Sequence, residues 1–269
     1  MENTEIKLLN KPKLKNPILV EGLPGIGNVG RVSVGYMISE LKAKKFAEMH
    51  SPHFLPLVVL DNNSNTRLLK GEFFYVKASK TRGKKGARAG SKRDIIFLTG
   101  DSQSISPQGH YEICGKILDF AEKFGVKEII TIGGYATGKQ PEKPRVIAAV
   151  NSPKLMKKYK ELDFQKDHKI GTIVGASGLL IGLGEARGME GLCLMGETMG
   201  FPIVITDPKS AESVLDIVLK ILGVRIDMNR LEKSVKDMEE SIKKTEEIHR
   251  SMMVPMKPQK EKESTQYIG

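Results

Sequence analysis

Residues 18–30 read ILVEGLPGIGNVG and contain Gly25-Ile26-Gly27-Asn28-Val29-Gly30, a literal G-x-G-x-x-G. Glycines in that pattern turn a strand into a helix whose N-terminal N–H groups can hold a pyrophosphate. A dinucleotide site also needs an acid about twenty residues on, to bind the ribose. Glu48 lies 23 residues after Gly25, so the spacing does not exclude that role. Two features oppose that reading. The apolar run ends near Glu21, which leaves Gly22-Leu23-Pro24 as extra loop before the fingerprint. Pro24 also has no N–H to offer a phosphate. The glycines are instead expected to let a helix pack closely on a sheet. Gly25, Gly27, Asn28 and Gly30 remain a candidate anion or ligand loop. Asp101 joins them, because it ends an apolar strand and ligands of open α/β sheets gather at strand C-termini. Asp101 is equally expected to cap a turn with Ser102.

Other reactive constellations are thin. Gly175-Ala176-Ser177-Gly178 approaches a nucleophile elbow, but Leu179 stands where the last glycine belongs. His50, His53, His110, His168 and His249 form no H-E-x-x-H and no pair at helical metal spacing. No P-loop lysine motif is present. The expectation is therefore no catalytic set, no metal and no cofactor. Cys114 and Cys193 are far apart and read as buried thiols of a reducing compartment.

The chain has 269 residues, 39 % hydrophobic and 28 % charged, which suits a globular protein with a sizeable core. Its net charge of +11 is local. Residues 77–93, KASKTRGKKGARAGSKR, hold eight Lys and Arg and no acid, leaving +3 for the other 252 residues. No aromatic lies among them to stack on a base, so a solvated loop is expected and nucleic acid is not. The most apolar stretch, Thr172 to Gly184, is too short to span a bilayer. With no apolar leader visible, the expected location is the cytoplasm, with no membrane partner.

These loops need elements to position them. Strands are expected at Ile18–Glu21, Phe46–His50, Pro56–Leu60, Asp94–Thr99, Lys127–Ile132, Val146–Val150, Ile170–Val174 and Leu192–Met195. A hairpin is expected over Arg67–Ala78, and Gly133-Gly134 is expected to close its strand. Helices are expected from Asn28 to Lys42, Pro107 to Phe124, Lys154 to Lys160, Ser177 to Gly188, and from Asp207-Pro208 to Gly223. Alternating strands and helices, without strict polar alternation in the strands, predict an α/β fold. Its sheet should be mostly parallel, with helices on both faces.

The organisation expected is an N-terminal extension at 1–16 and an α/β domain at 17–224. An amphipathic or coiled-coil helix at 225–253 and a flexible tail at 254–269 follow. Met228, Leu231, Val235, Met238 and Ile242 recur at steps of three and four, continued by Thr245, His249 and Met252. That 3.5-residue period predicts a seam between subunits. The alternative is a long helix packed on its own domain.

Five ordered motifs carry a family resemblance: GLPGIGNVG, GDSQ at Gly100–Gln103, TIGGYATGK at Thr131–Lys139, VGASGLLIGLGEARG at Val174–Gly188, and CLMGET at Cys193–Thr198. Together, over about residues 17–224, they resemble the proteasome assembly chaperone 2 family, its archaeal members most of all. The resemblance implies a fold similar to nucleoside-phosphorylase-like proteins, homo-oligomers, no catalysis, and proteasome α-subunits as partners. Family members that dock on the proteasome use a C-terminal hydrophobic residue, a tyrosine and one last residue. The sequence here ends Gln266-Tyr267-Ile268-Gly269, with a polar residue before the tyrosine and two residues after it. Tyr267, Ile268 and Gly269 are thus the expected partner-binding tail. The alternative function is a small-molecule or nucleotide-binding enzyme using the glycine-rich loops.

Overall fold

The computed structural model describes residues 1–60, 63–80, 91–139, 141–165, 171–200 and 206–238. At its centre is an eight-stranded sheet. In chain order its strands are β1 (Glu5–Leu8), β2 (Ile18–Glu21), β3 (Lys44–His50), β6 (Gly71–Val76), β7 (Ile95–Gly100), β8 (Glu128–Ala136), β9 (Val146–Val150) and β10 (Glu190–Thr198). Two further strands, β4 (Val58–Leu60) and β5 (Thr66–Leu68), form a separate ribbon. The order across the large sheet is β1-β3-β6-β7-β2-β8-β10-β9. The fold class is α/β. Parallel pairing is confined to the middle four strands, β7, β2, β8 and β10, and the flanking pairs are antiparallel.

Both faces of this middle are covered. Helices α1 (Val29–Glu40) and α5 (Pro208–Leu222) lie on one face, α2 (Pro107–Lys123) and α4 (Ala176–Glu185) on the other. A short α3 (Pro153–Lys158) adds Leu155 to the first layer. Successive strand residues therefore feed opposite cores. Ile18, Val20, Ile95, Phe97, Ile130 and Ile132 pack under α1 and α5, whereas Leu19, Ile96, Leu98 and Ile129 pack under α2 and α4. This is why the central strands read as unbroken apolar runs.

The helix ends follow local chemistry. Ser106 accepts from the Gly109 N–H and Asp207 accepts from the Ser210 N–H, each followed by Pro at the first helical position. Gly125 and Gly223, with φ of 75° and 65°, take the left-handed conformation that stops α2 and α5.

The structure corrects several expectations. β5 does not pair with β6 in a hairpin; it pairs with β4, while β6 joins the main sheet between β3 and β7. Gly133-Gly134 does not close β8, which continues to Ala136 beside β10. Residues 171–174 form no strand. β1, within the expected extension, pairs antiparallel along β3.

At the C-terminal end of the described chain, Tyr36 donates its hydroxyl to the Asp227 carbonyl. Residues 231–238 are helical. Leu231 and Val235 are buried in the chain's own core, and Met228 packs against it. Met238 lies over Gly35 of α1, its sulfur 3.4 Å from where a Cβ would stand. Leu231 and Val235 are thus already covered within one chain. Ile242 lies outside the described residues.

Candidate functional site

The quoted motifs converge at one edge of the sheet, where the four parallel strands end. β2 runs into Gly22, and the loop from Gly22 to Asn28 folds over the ends of β8 and β10. Gly27 and Asn28 both take left-handed backbone, φ 60° and 46°, to deliver the chain into α1. Three glycines permit backbone-to-backbone contact. A Cβ on Gly22 would stand 2.2 Å from the Gly30 carbonyl oxygen, one on Gly30 2.3 Å from that of Ile132, and one on Gly134 2.2 Å from that of Ile26. The expectation that glycine brings α1 close to the sheet is met atom by atom.

Polar bonds then lock the loops together. Gln103, from the GDSQ motif, donates to the Pro24 carbonyl at 2.5 Å and accepts from the Ala176 N–H at 2.9 Å. One side chain thereby ties the glycine loop to the start of α4. Asp207 caps α5, accepts from Thr198 Oγ1 at 2.7 Å, and gives its own N–H to the Gly27 carbonyl at 2.9 Å. Three amides of these loops are used inside the chain: Leu23 N–H goes to Glu21, Asn28 N–H to the Gly25 carbonyl, and Ala176 N–H to Gln103.

Beneath these loops lies Glu21, the last residue of β2 and completely buried. Its carboxylate accepts from the Leu23 N–H at 2.8 Å and from Ser177 Oγ at 3.3 Å. Burial outweighs both bonds and pushes its carboxyl up from 4.5 to about 7. Cys114 and Cys193 are pushed up to about 12, first by burial and also by the Glu21 charge. Inert thiols and a carboxyl sealed from solvent make this a structural polar core. Sequence reading missed Glu21 as a special residue. Its signal was an acid ending the four-residue run ILVE, which enters a sheet covered on both faces.

Asp101 is spent on the fold. Arg67 approaches both its oxygens, at 2.5 and 3.2 Å, the Lys70 N–H donates to it at 3.1 Å, and Arg31 lies 3.6 Å away. It does not cap Ser102, whose hydroxyl donates to the Gln103 carbonyl. The structure groups Gly25, Gly27 and Asn28 in one loop, places Gly30 in the first turn of α1, and reaches Asp101 from there through Arg31. Glu48 is far from them: β6 and β7 separate β3 from β2. Lys45 and then Lys70 bond Glu48 and hold its carboxyl down at about 2. A ribose acid must sit on the neighbouring strand, so this geometry excludes Glu48 from the role. Among the described residues, no group of three or more His, Cys, Asp or Glu is placed to hold a metal ion. No helix among them is long and apolar enough to cross a membrane. Most of the basic segment, and Tyr267, Ile268 and Gly269, lie outside the described residues.

The same edge carries exposed apolar side chains. Ile26 tips the glycine loop, Ile105 follows Gln103, and Val174, 89 % exposed, precedes α4.

Comparison with known proteins agrees with this arrangement of motifs. The model of the PAC2 family matches residues 19–246. An uncharacterized protein of Methanocaldococcus jannaschii is 34 % identical over 95 % of this chain and 93 % of its own. Among solved structures, Pyrococcus furiosus PbaB, described as an archaeal proteasome activator, superposes with a TM-score of 0.77 at 42 % identity. It covers 94 % of this chain and 99 % of that one. P. furiosus PbaA, described as an archaeal homolog of proteasome-assembly chaperone, shares the fold with a TM-score of 0.70 at 24 % identity, over 92 % and 100 % of the two chains.

Proposed function

The chain belongs to the PAC2 family, and from that premise we propose that it is a non-enzymatic, homo-oligomeric assembly chaperone or adaptor for the proteasome. The observation that carries this reading is the 42 % identity, over nearly the whole chain, to a protein described as an archaeal proteasome activator. The site geometry is consistent with it. The glycine loops are packed and bonded into a scaffold, which suits a protein that presents surfaces. The contact with proteasome α-subunits is assigned to the C-terminal tail, with Tyr267 and Ile268 as apolar anchors and Gly269 beyond them. A short tail loses ordering entropy on binding, so useful affinity requires several tails acting together. Subunits of a homo-oligomer supply them.

The test is capture of proteasome α-subunits by the full chain and by a chain lacking Gln266–Gly269. Capture is expected to be lost in the shortened protein, with its oligomeric mass unchanged by light scattering. Undiminished capture refutes the assignment of the tail.

A further inference from the structure

β1 is an end strand of the large sheet and pairs only with β3. Just past it, the Leu9 N–H donates to the Phe46 carbonyl, so Leu9 turns its backbone toward β3. Backbone direction alternates along a strand. Glu5 and Lys7 therefore also turn toward β3, and Ile6 and Leu8 turn their N–H and C=O groups outward. Among the described residues, these outward groups have no partner. Thr4 stands in the same outward row, and its N–H is met by a carboxylate oxygen of Glu112 on α2 at 2.6 Å. Beyond Thr4 the row is an open strand edge, whose spacing of donors and acceptors matches another extended backbone.

Beside this edge, between β1 and α2, lies a cavity of about 370 Å³. Ile6 and Phe120 give it apolar walls, and Lys116, Lys123, Asp119 and Glu5 line it with charge. Asp119 is spent on Arg187, 2.6 Å away. Lys116 and Lys123 have no ion-pair partner among the described residues. The two lysines thus outweigh Glu5, and the chain beyond β1 adds Lys11, Lys13 and Lys15 without an acid. Lys116 and Lys123 are two turns apart on α2, about 10 Å. An extended chain covers that length in about three residues and turns every second side chain to one face.

We propose that the groove between β1 and α2 binds an extended acidic segment of a partner protein, added as a strand to the free edge of β1. Each feature of the site selects one property of the ligand. The open row of N–H and C=O groups selects an extended polypeptide. The cavity takes one apolar side chain on the α2 side, against Ile6 and Phe120. Acids two positions before and after that side chain face the same way and meet Lys116 and Lys123. A second copy of this chain matches the charge poorly, because residues 7–15 of its own edge carry four lysines and no acid. The site depends neither on the C-terminal tail nor on the number of subunits.

The experiment titrates the full chain against a dye-labelled, acetylated peptide reading threonine-glutamate-threonine-valine-threonine-glutamate-threonine, up to about 1 mM, by fluorescence anisotropy. One control peptide has lysine for both glutamates. Two others carry N-methyl groups on every second amide, in either phase. The glutamate peptide is expected to bind saturably and to slow hydrogen exchange at the Ile6 and Leu8 amides. Lys116→Glu, Lys123→Glu changes two exposed helix positions and is expected to weaken it about tenfold and to bind the lysine peptide instead. Absence of binding by the folded wild type overturns the proposal. Equal binding of the glutamate and lysine peptides overturns it too, as does undiminished binding of both methylated peptides. Exchange at Ile6 and Leu8 that is already slow without peptide also overturns it. Slowing that grows with protein concentration gives the edge to a second copy, and slowing lost on removal of residues 254–269 gives it to the chain's own tail.

Discussion

Replacing Glu21 with Gln removes a buried charge while keeping its shape. The amide oxygen can still accept from the Leu23 N–H, as Oε1 does at 2.8 Å. The amide nitrogen then faces Ser177 Oγ, which can turn to accept from it and donate to the Ile132 carbonyl, 3.4 Å away. In the wild type, folding raises the Glu21 carboxyl from 4.5 to about 7. The sign follows from that rise. Below pH 4.5 the group is protonated in both states. As pH rises toward 7 the unfolded chain releases its proton first, so folding stability falls. Above 7 the folded protein carries the buried anion and the loss is complete. At about 1.4 kcal/mol per tenfold, the whole loss is about 3 kcal/mol, and under about 1 kcal/mol of it is present at pH 5. The variant has no such proton to lose. Urea unfolding of both proteins from pH 5 to 8.5, followed by circular dichroism, reads the difference directly. Glu48 and Glu112 are both held down at about 2 and stay ionised throughout this range, so they cancel in the comparison. Glu21→Gln is expected to gain on the wild type by about 2 kcal/mol between pH 5 and pH 8. Parallel pH profiles, or a variant that falls behind as pH rises, would refute the account of a carboxyl held in place against its charge.

Gly30→Ala places a methyl 2.3 Å from the Ile132 carbonyl oxygen and is expected to cost at least about 1–3 kcal/mol in a urea titration. Gly115→Ala in α2 meets nothing within 4 Å and should add up to about 1 kcal/mol; equal effects at the two sites would contradict the close-packing argument. Gln103→Ala removes both bonds that tie Pro24 to Ala176, with an expected loss of about 1–3 kcal/mol and faster amide exchange at Ala176. Unchanged exchange there would show that the loops are held by other means. Leu231→Ala should lower stability by about 2–5 kcal/mol independently of protein concentration, because the side chain is buried within one chain. A loss that shrinks at high concentration would return Leu231 to a subunit seam. A thermal-shift screen of nucleotides is expected to be flat, whereas a ligand at 100 times its Kd would stabilise by about 2.7 kcal/mol.

The sequence by itself determined most of the local elements, though not β1 or the absence of a strand at 171–174, and it grouped the motifs of the site. Capping pairs such as Ser106-Pro107 and Asp207-Pro208, and the stops at Gly125 and Gly223, act within a few residues, so helix bounds were legible. Apolar runs such as IIFLTG were legible as strands because both faces of the central sheet are covered. The ordered glycine motifs were legible as a family signature, and their packing role as the better reading of G-x-G-x-x-G. Only the tertiary structure decided pairing and neighbours, which depend on contacts across long stretches of chain. It joined β6 antiparallel to β7 and sent β5 to the ribbon, carried β8 through Gly134 because the Ile26 carbonyl fills the missing side chain, and set two strands between Glu48 and the glycine loop. Leu231 and Val235 show the same limit. Their spacing prescribes an apolar stripe, but a period of 3.5 does not say whether the surface it meets belongs to another subunit or, as for these two residues, to the same chain.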